Sequence, residues 1–309
     1  VSHHVLSSEA PFHGYFSTDL PPVLRIASGD TVEFSVPDAA WSTQPARSKD
    51  EAPTRIQRPG PDHSGHCLAG PFYVEGAKAG GTLEIAVEEL RPAGHGWTSS
   101  GGWDHEVHRR LKTDDPGEST LFWELDPSSG IAKNQYGHRV QLHPFLGVMG
   151  MPANLEGIQP TPPPRRTGGN LDCKELVVGA RLFLPIEVDG ALFSAGDGHA
   201  AQGDGEVCVT AIECPMEKVV LRIVAHNELS IGAPRAQVGD DWITLGVSAD
   251  LDEAVFMALD EMLTLMGEKF GLDRKTALAL ASVVVDVRVT QIVNGVKGAH
   301  AILRGSAVG

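Results

Sequence analysis

The sequence is short of cysteine, of basic charge and of long apolar runs, and each shortage argues against a class of protein. Four cysteines, Cys67, Cys173, Cys208 and Cys214, are too few to staple 309 residues. None forms a C-x-x-C pair, which argues against a zinc knuckle. Cys208 and Cys214 are six apart and would share one face of a strand without bridging. Reduced thiols in a cytoplasmic protein follow. Lys and Arg total 25 against 40 Asp and Glu, a net charge of −15, and the pI is near 5.2. That balance argues against nucleic acid or an anionic membrane surface as partner. No apolar run approaches the roughly 18 residues of a membrane span. The opening "VSHHVLSSEAPFHGYF" lacks a basic segment followed by an apolar one, so no secretory leader is expected. Three common catalytic devices are also missing: a G-x-S-x-G elbow, a Walker loop, and a G-x-G-x-x-G set between strand and helix.

What remains is a globular composition, 41% hydrophobic and 21% charged, long enough for one large domain or two interlocked ones. The pattern predicts an α+β fold that is predominantly β. "PPVLRIASGDTVEFSV" (21–36) reads as two short strands around a Ser-Gly-Asp turn, with Val32, Phe34 and Val36 on one face. "GGTLEIAVEEL" repeats the alternation through Leu83, Ile85 and Val87. Further strands are expected over 119–125, 139–143, 181–188, 206–213, 218–224 and 242–247, punctuated by 35 glycines and 21 prolines. "VEGAKAGG" (74–81) echoes "VDGALFSAGD" (188–197), as a duplicated and diverged β-module would. Two interlocked modules are therefore expected, 1–167 and 168–309, packed as one unit. The last sixty residues differ. Leu251, Val255, Ala258, Leu259, Met262 and Leu265 recur at helical spacing, with Asp250 as cap and Gly271 as stop. Asp273 caps a second helix to about Ala281, and "SVVVDVRVTQIV" follows as a strand. Met257, Met262 and Met266 read as core filler. Two long loops, 47–66 and 159–170, are candidate binding walls or solvated connectors.

The polar chemistry concentrates in "GDGHAAQGDGE" (196–206). Asp197 and His199 are two apart, so in an extended segment they point one way, and carboxylate with imidazole suits zinc or a similar divalent ion. Gly196 and Gly198 permit positive φ and a tight bend around a ligand. Gln202, Asp204 and Glu206 continue with even spacing; oxygen ligands at i, i+2 and i+4 suggest calcium, although the EF-hand pattern is absent. The plain alternative is a pair of glycine-acid turns. In "GGNLDCKEL" (168–176), a strand starting near Asn170 would put Asn170, Asp172 and Lys174 on one face. Asp172 and Lys174 alone would be a surface pair worth under about 1 kcal/mol. His143 precedes Pro144 at a strand end, and a lone histidine is more often a hydrogen-bonded core residue than a ligand. Glu213, in an apolar run, either finds a partner or has its pKa raised, as a general base near neutrality requires.

These stretches together resemble the acetamidase/formamidase family, hydrolases that convert formamide or acetamide to ammonia and the carboxylic acid. The resemblance rests on "PPVLRIASGDTVEF", "GHCLAGPFYVEGA", "HPFLGVMG", "GGNLDCKEL", "LFLPIEVDGALFSAGDGHAAQGDGEV" with "AIE" after it, and the C-terminal helices with "RVTQIV", in family order from about residue 20 to 304. It implies a mostly β two-part fold with α/β elements near the end, and an oligomeric enzyme. His143, Asn170, Asp172, Asp197, His199, Gln202, Asp204, Glu206 and Glu213 stand where the family pattern has them. Cys67 and Ala69 depart from the Pro and Thr of that pattern, although His66 remains, so the pocket edge and the substrate are open. The chain is also shorter than the longer formamidase-type members.

The expected function is hydrolysis of a short aliphatic amide in the cytoplasm by metal-activated water, in a homo-oligomer of two or more copies. Asp172, Asp197, His199 and Asp204 are the expected ligands of a divalent ion, zinc first and calcium second. Glu213 or Glu206 is the expected base and proton shuttle, His143 and Asn170 steady the amide, and Gln202 and His66 contact substrate. The alternatives are a non-catalytic binding protein with a structural calcium, and a hydrolase of a larger or cyclic amide.

Overall fold

The computed structural model describes residues 1–7 and 10–308. Strands dominate, as the alternation predicts. A nine-stranded sheet runs in the order His3–Val5, Thr31–Val36, Met216–His226, Thr82–Pro92, Ala180–Pro185, Arg235–Val238, Asp241–Ser248, Val296–Leu303, Val285–Asn294. Its strands come from both halves of the sequence. A five-stranded sheet follows the order Gly168–Asn170, Phe145–Gly150, Phe193–His199, Leu68–Glu75, Leu24–Ala27.

The core lies between these two sheets. Val32, Phe34, Val36, Leu83, Ile85 and Val87 turn inward and are buried, the expected faces of their strands. They meet Phe72, Leu146, Met149 and Phe193 in one cluster, with the Phe34 and Phe72 rings 5.7 Å apart. Burial of the five-stranded sheet is deeper still: every residue of Phe145–Gly150 and of Phe193–His199 is buried. Polar side chains placed on those strands are shielded from bulk water except where a cavity reaches them. That property determines the chemistry described below.

Sequence and structure part company in the 206–213 stretch, which was expected to be a strand. It is a series of turns, with Glu206 at φ 45° and Val209 at φ 79°. Two residues in the left-handed region cannot sit in an extended run. The alternation of apolar side chains there reflects loop residues tucking inward, and Val207 is 58% exposed. Cys208 and Cys214 consequently do not share a strand, and all four cysteines are free.

The C-terminal region follows its capping signals. Asp250 accepts a hydrogen bond from the Glu253 amide, and helix α2 (Leu251–Phe270) ends at Gly271, φ 66°. The preceding short helix α1 is Glu106–Leu111. Asp273 caps α3 (Arg274–Val284), which runs three residues past the predicted end before the strand begins at Val285. Met262 and Met266 are core residues as predicted, whereas Met257 is 41% exposed. Helix α2 lies directly on the strands Asp241–Ser248 and Val296–Leu303, with the Thr244 hydroxyl donating to the Ala258 carbonyl at 2.7 Å.

The closeness of that packing depends on Gly246. A Cβ there would stand 2.0 Å from the Ala254 carbonyl oxygen and 2.6 Å from the Ala258 nitrogen, both backbone atoms that cannot swing away. Gly246→Ala must lift α2 from the sheet, and overpacking of this kind costs about 1–3 kcal/mol. Thermal unfolding followed by circular dichroism should show a Tm lowered by several degrees, and an unchanged Tm would contradict the packing described.

Candidate functional site

The strand Phe193–His199 lies between Phe145–Gly150 and Leu68–Glu75 and carries Asp197 and His199 into the interior. The expected role of its glycines needs correcting. The residue with positive φ is Asp197 itself, at 61°, and not Gly196 or Gly198. The glycines permit close approach instead: a Cβ at 196 would lie 2.3 Å from the Cys67 carbonyl oxygen, and one at 198 would lie 2.5 Å from that of Cys214. The local twist at Asp197 lets its carboxylate meet the His199 ring, with Oδ1 3.3 Å from Nε2.

Glu213 arrives from the other side. Its backbone exchanges hydrogen bonds with Trp97, at 2.8 and 3.0 Å, and its Oε2 lies 3.4 Å from His199 Nε2. The far edge of the imidazole is held by Gln202. That amide donates to the Asp172 carbonyl oxygen at 2.8 Å, so its own oxygen, 3.0 Å from Nδ1, accepts the Nδ1 proton. Nδ1–H is thereby assigned, and Nε2 is the ring nitrogen that faces the carboxylates. Asp172 follows the strand Gly168–Asn170 in a left-handed turn, φ 48°. Its Oδ2 accepts from Asn294 Nδ2 at 2.6 Å. Glu206 completes the group from its own left-handed turn. Ligand-type atoms of Asp172, His199 and Glu206 lie within 4.8 Å of one another, as do those of Asp197, His199 and Glu213.

Four carboxylates thus surround one imidazole, each 6% exposed or less. Burial raises Asp172 to about 7, with His199 pulling it down and Asp197 pushing it up. Burial, and then the Asp172 charge, hold Glu206 well above the usual carboxylate range. At Asp197 burial is outweighed by the His199 charge, which brings it down to about 2. At His199 burial is outweighed by Glu213 and Asp197, so the ring is raised well above its usual value. Asp172 Oδ1, Asp197 Oδ1, His199 Nε2, Glu206 Oε2 and Glu213 Oε2 are all buried without a hydrogen-bond partner. Carboxylate oxygens left without partners so close together are what a cation would satisfy.

The centre has no spare space on its strand side. A Cβ on Gly147 would stand 2.3 Å from Asp197 Oδ2, 2.7 Å from Asp172 Oδ1 and 2.8 Å from His199 Cε1. On the other side Asp197, Glu206 and Glu213 border a cavity of about 250 Å³, walled by Arg58, His66, Trp97, Pro162, Asn170 and Asn294. Both long loops, 47–66 and 159–170, contribute to that wall. A larger cavity of about 610 Å³ near Phe122 and Tyr136 contains none of the predicted site residues.

Asn170, Asp172, Asp197, His199, Glu206 and Glu213 are brought together. Asn170 donates to the Pro162 carbonyl and leaves its own Oδ1 unpartnered. His66 sits at the cavity edge, bonded to Thr161. Gln202 acts behind His199 and does not line this cavity. Two residues stay outside. Asp204 pairs with Lys174 at 3.0 Å and Arg288 at 3.6 Å. His143 is exposed and borders other cavities. Lys174 reaches Asp204 and not Asp172, because the turn at Asp172 ends the strand at Asn170. Sequence reading missed Asn294, one residue beyond "RVTQIV", and Trp97, which no motif marks. It also missed the steric role of Gly147, although "HPFLGVMG" contains it.

Comparison with known proteins agrees with this architecture. The model of the acetamidase/formamidase family matches residues 1–156 and 152–229. A putative formamidase of Schizosaccharomyces pombe is 25% identical over 253 residues, covering 63% of this chain and 59% of its own length. The crystal structure of a predicted acetamidase/formamidase from Thermoanaerobacter tengcongensis superposes with a TM-score of 0.84 at 26% identity, covering 98% of this chain and 95% of that one. An acetamidase from Bacillus halodurans gives 0.84 at 28% identity, covering 97% and 96%. The chain spans about three-fifths of the length of the curated relatives it matches. By the family model and these structural neighbours, the chain belongs to the acetamidase/formamidase family.

Proposed function

We propose that the chain hydrolyses a short aliphatic amide to ammonia and the carboxylate. The observation that carries this reading is the set of orphaned carboxylate oxygens around one imidazole, of which Asp197, Glu206 and Glu213 border a cavity of only about 250 Å³. That volume lies at the small end of ligand pockets and suits formamide or acetamide better than a larger or cyclic amide. Family membership points to the same chemistry.

The donor set fits a divalent ion. Asp172, Asp197 and His199 would hold it, zinc first because an imidazole stands among the carboxylates, and calcium second because oxygen donors predominate. Such an ion supplies a Lewis acid for the amide carbonyl and makes water more acidic. Asp204, engaged with Lys174 and Arg288, is no longer needed as a ligand.

The chain's own groups divide the remaining work. Glu213 receives a proton from the attacking water on the cavity side, with its second oxygen fixed by the Ala211 amide at 2.9 Å. Glu206, held well above the usual carboxylate range by burial and by the Asp172 charge, is placed to give a proton to the departing nitrogen. Asn170 Oδ1, unpartnered at the cavity wall, accepts from the amide N–H₂. Gln202 keeps His199 in one tautomer. His143 has no part in this scheme.

Cytoplasmic residence is supported by four free thiols. Assembly into a homo-oligomer is supported by exposed apolar side chains in the C-terminal part of the sequence: Phe256, Leu278, Val283 and Val287, the last on the edge strand Val285–Asn294. Among the described residues no helix is long and apolar enough to cross a membrane.

Two measurements test the reading. Ammonia release should occur with formamide or acetamide, disappear after chelation, return with one divalent metal, and fall at least about 100-fold in Asp197→Asn. Release from no amide in the metal-loaded protein would overturn it. Gly147→Ala should cost about 100-fold or more in kcat, because its methyl group displaces Asp172, Asp197 and His199 together. A Gly147→Ala enzyme of normal kcat would show that the centre lies elsewhere.

A further inference from the structure

Asp172 belongs to the carboxylate cluster, but the residue after it faces a different group. Cys173 is fully buried and its thiol donates to Glu175 Oε2 at 3.4 Å. His300, on the strand Val296–Leu303, is also fully buried. Its Nδ1 lies 2.7 Å from the Thr290 hydroxyl on the neighbouring strand, and its Nε2 stands 3.5 Å from the same Glu175 Oε2. That Nε2 has no hydrogen-bond partner. One sulfur, one carboxylate oxygen and one imidazole nitrogen therefore converge within 4.8 Å of each other.

The spacing fits a ligand set. A tetrahedral ion with bonds of about 2.0 Å to nitrogen and oxygen and about 2.3 Å to sulfur puts neighbouring ligand atoms roughly 3.3–3.5 Å apart. The separations here are 3.4 and 3.5 Å. A thiol hydrogen bond accounts for the first and an ion pair for the second, and both also match the spacing of ligand atoms around one ion. The Thr290 hydroxyl engages Nδ1, so Nε2 is the ring nitrogen that faces Glu175, at an ion-pair distance that leaves it without a hydrogen bond. The nearby basic groups do not fill that place. Arg288 takes the other Glu175 oxygen at 3.4 Å, Lys174 pairs with Asp204, and Arg304 pairs with Asp241.

We propose that Cys173, Glu175 and His300 form a second divalent-cation site, of zinc type, separate from the carboxylate cluster. Of the three, Glu175 also borders a cavity of about 400 Å³, beside Lys174 and Arg304. Thiolate, imidazole and carboxylate together select zinc over calcium or magnesium. The thiol proton leaves to solvent as the sulfur–metal bond forms. The ion ties the segment after Asp172 to the strand carrying His300, and so steadies the turn that presents Asp172.

Cobalt(II) titration of chelator-stripped protein tests this independently of amidase activity, because only thiolate ligation gives the intense near-ultraviolet sulfur-to-cobalt absorption. The wild-type chain and Asp197→Asn should both show the band, saturating by the second equivalent, since the wild-type chain carries two proposed sites. Cys173→Ser should abolish it, His300→Gln should weaken binding at least about 10-fold, and Cys208→Ser and Cys214→Ser should retain it. Circular dichroism of each metal-free variant separates loss of the site from loss of the fold. Absence of the band in the wild type, its survival in Cys173→Ser, or its loss in folded Asp197→Asn would overturn the proposal.

Discussion

The cost of keeping Asp172, Asp197, Glu206 and Glu213 out of water is the constraint on which the rest of the site depends. Bringing like charges together in a dry interior is unfavourable by several kcal/mol per ion unless something of opposite sign answers them. Within the described chain the one cationic group inside the ring is His199, and its ring contacts only part of the set. The upward displacement of Asp172 and Glu206, beside the low value at Asp197, is the electrostatic record of that imbalance. A divalent cation removes it at once.

The scaffold is shaped to sustain this concentration of charge. A fully buried central strand gives Asp197 and His199 no exit, and Gly147 opposite them leaves room for their side chains and for nothing larger than hydrogen. Hydrogen bonds arriving from several elements then hold each group at a defined angle. Gln202 spans His199 and the Asp172 carbonyl, Asn294 holds one Asp172 oxygen, and Trp97 anchors the Glu213 backbone. Each of these contacts leaves one polar atom per residue unpartnered, and Glu213, with Asp197 and Glu206, borders the cavity. Positioning and chemistry are in this sense the same feature of the fold.

Much of this was legible in the sequence because it is local. Alternation marked the strands that build the core, and Asp250, Gly271 and Asp273 marked the helix ends. The even spacing of Asp197 and His199 placed both side chains in one interior. What the sequence hid is either backbone conformation or long-range contact. Three of the site carboxylates, Asp172, Asp197 and Glu206, sit at positive φ, a state that spacing rules for extended chains do not foresee. Hence the predicted strand over 206–213 became turns, and Lys174 turned away from Asp172. Asp204 looked like a ligand because it lies two residues from Glu206, yet two basic side chains from elsewhere in the chain claim it. Asn294 and Trp97 reach the site from positions about 120 and 75 residues away from Asp172, a separation that no local pattern records.

The central claim is that the buried carboxylates hold a divalent cation, and calorimetric titration with zinc tests it most directly. The Cys173→Ser chain, stripped by chelation, leaves the carboxylate cluster as the binding centre. The account predicts saturable binding of at least one zinc per chain, lost when Asp172→Asn and Asp197→Asn are added together. A folded Cys173→Ser protein that takes up no zinc or calcium, or one whose binding survives loss of both aspartates, would contradict it.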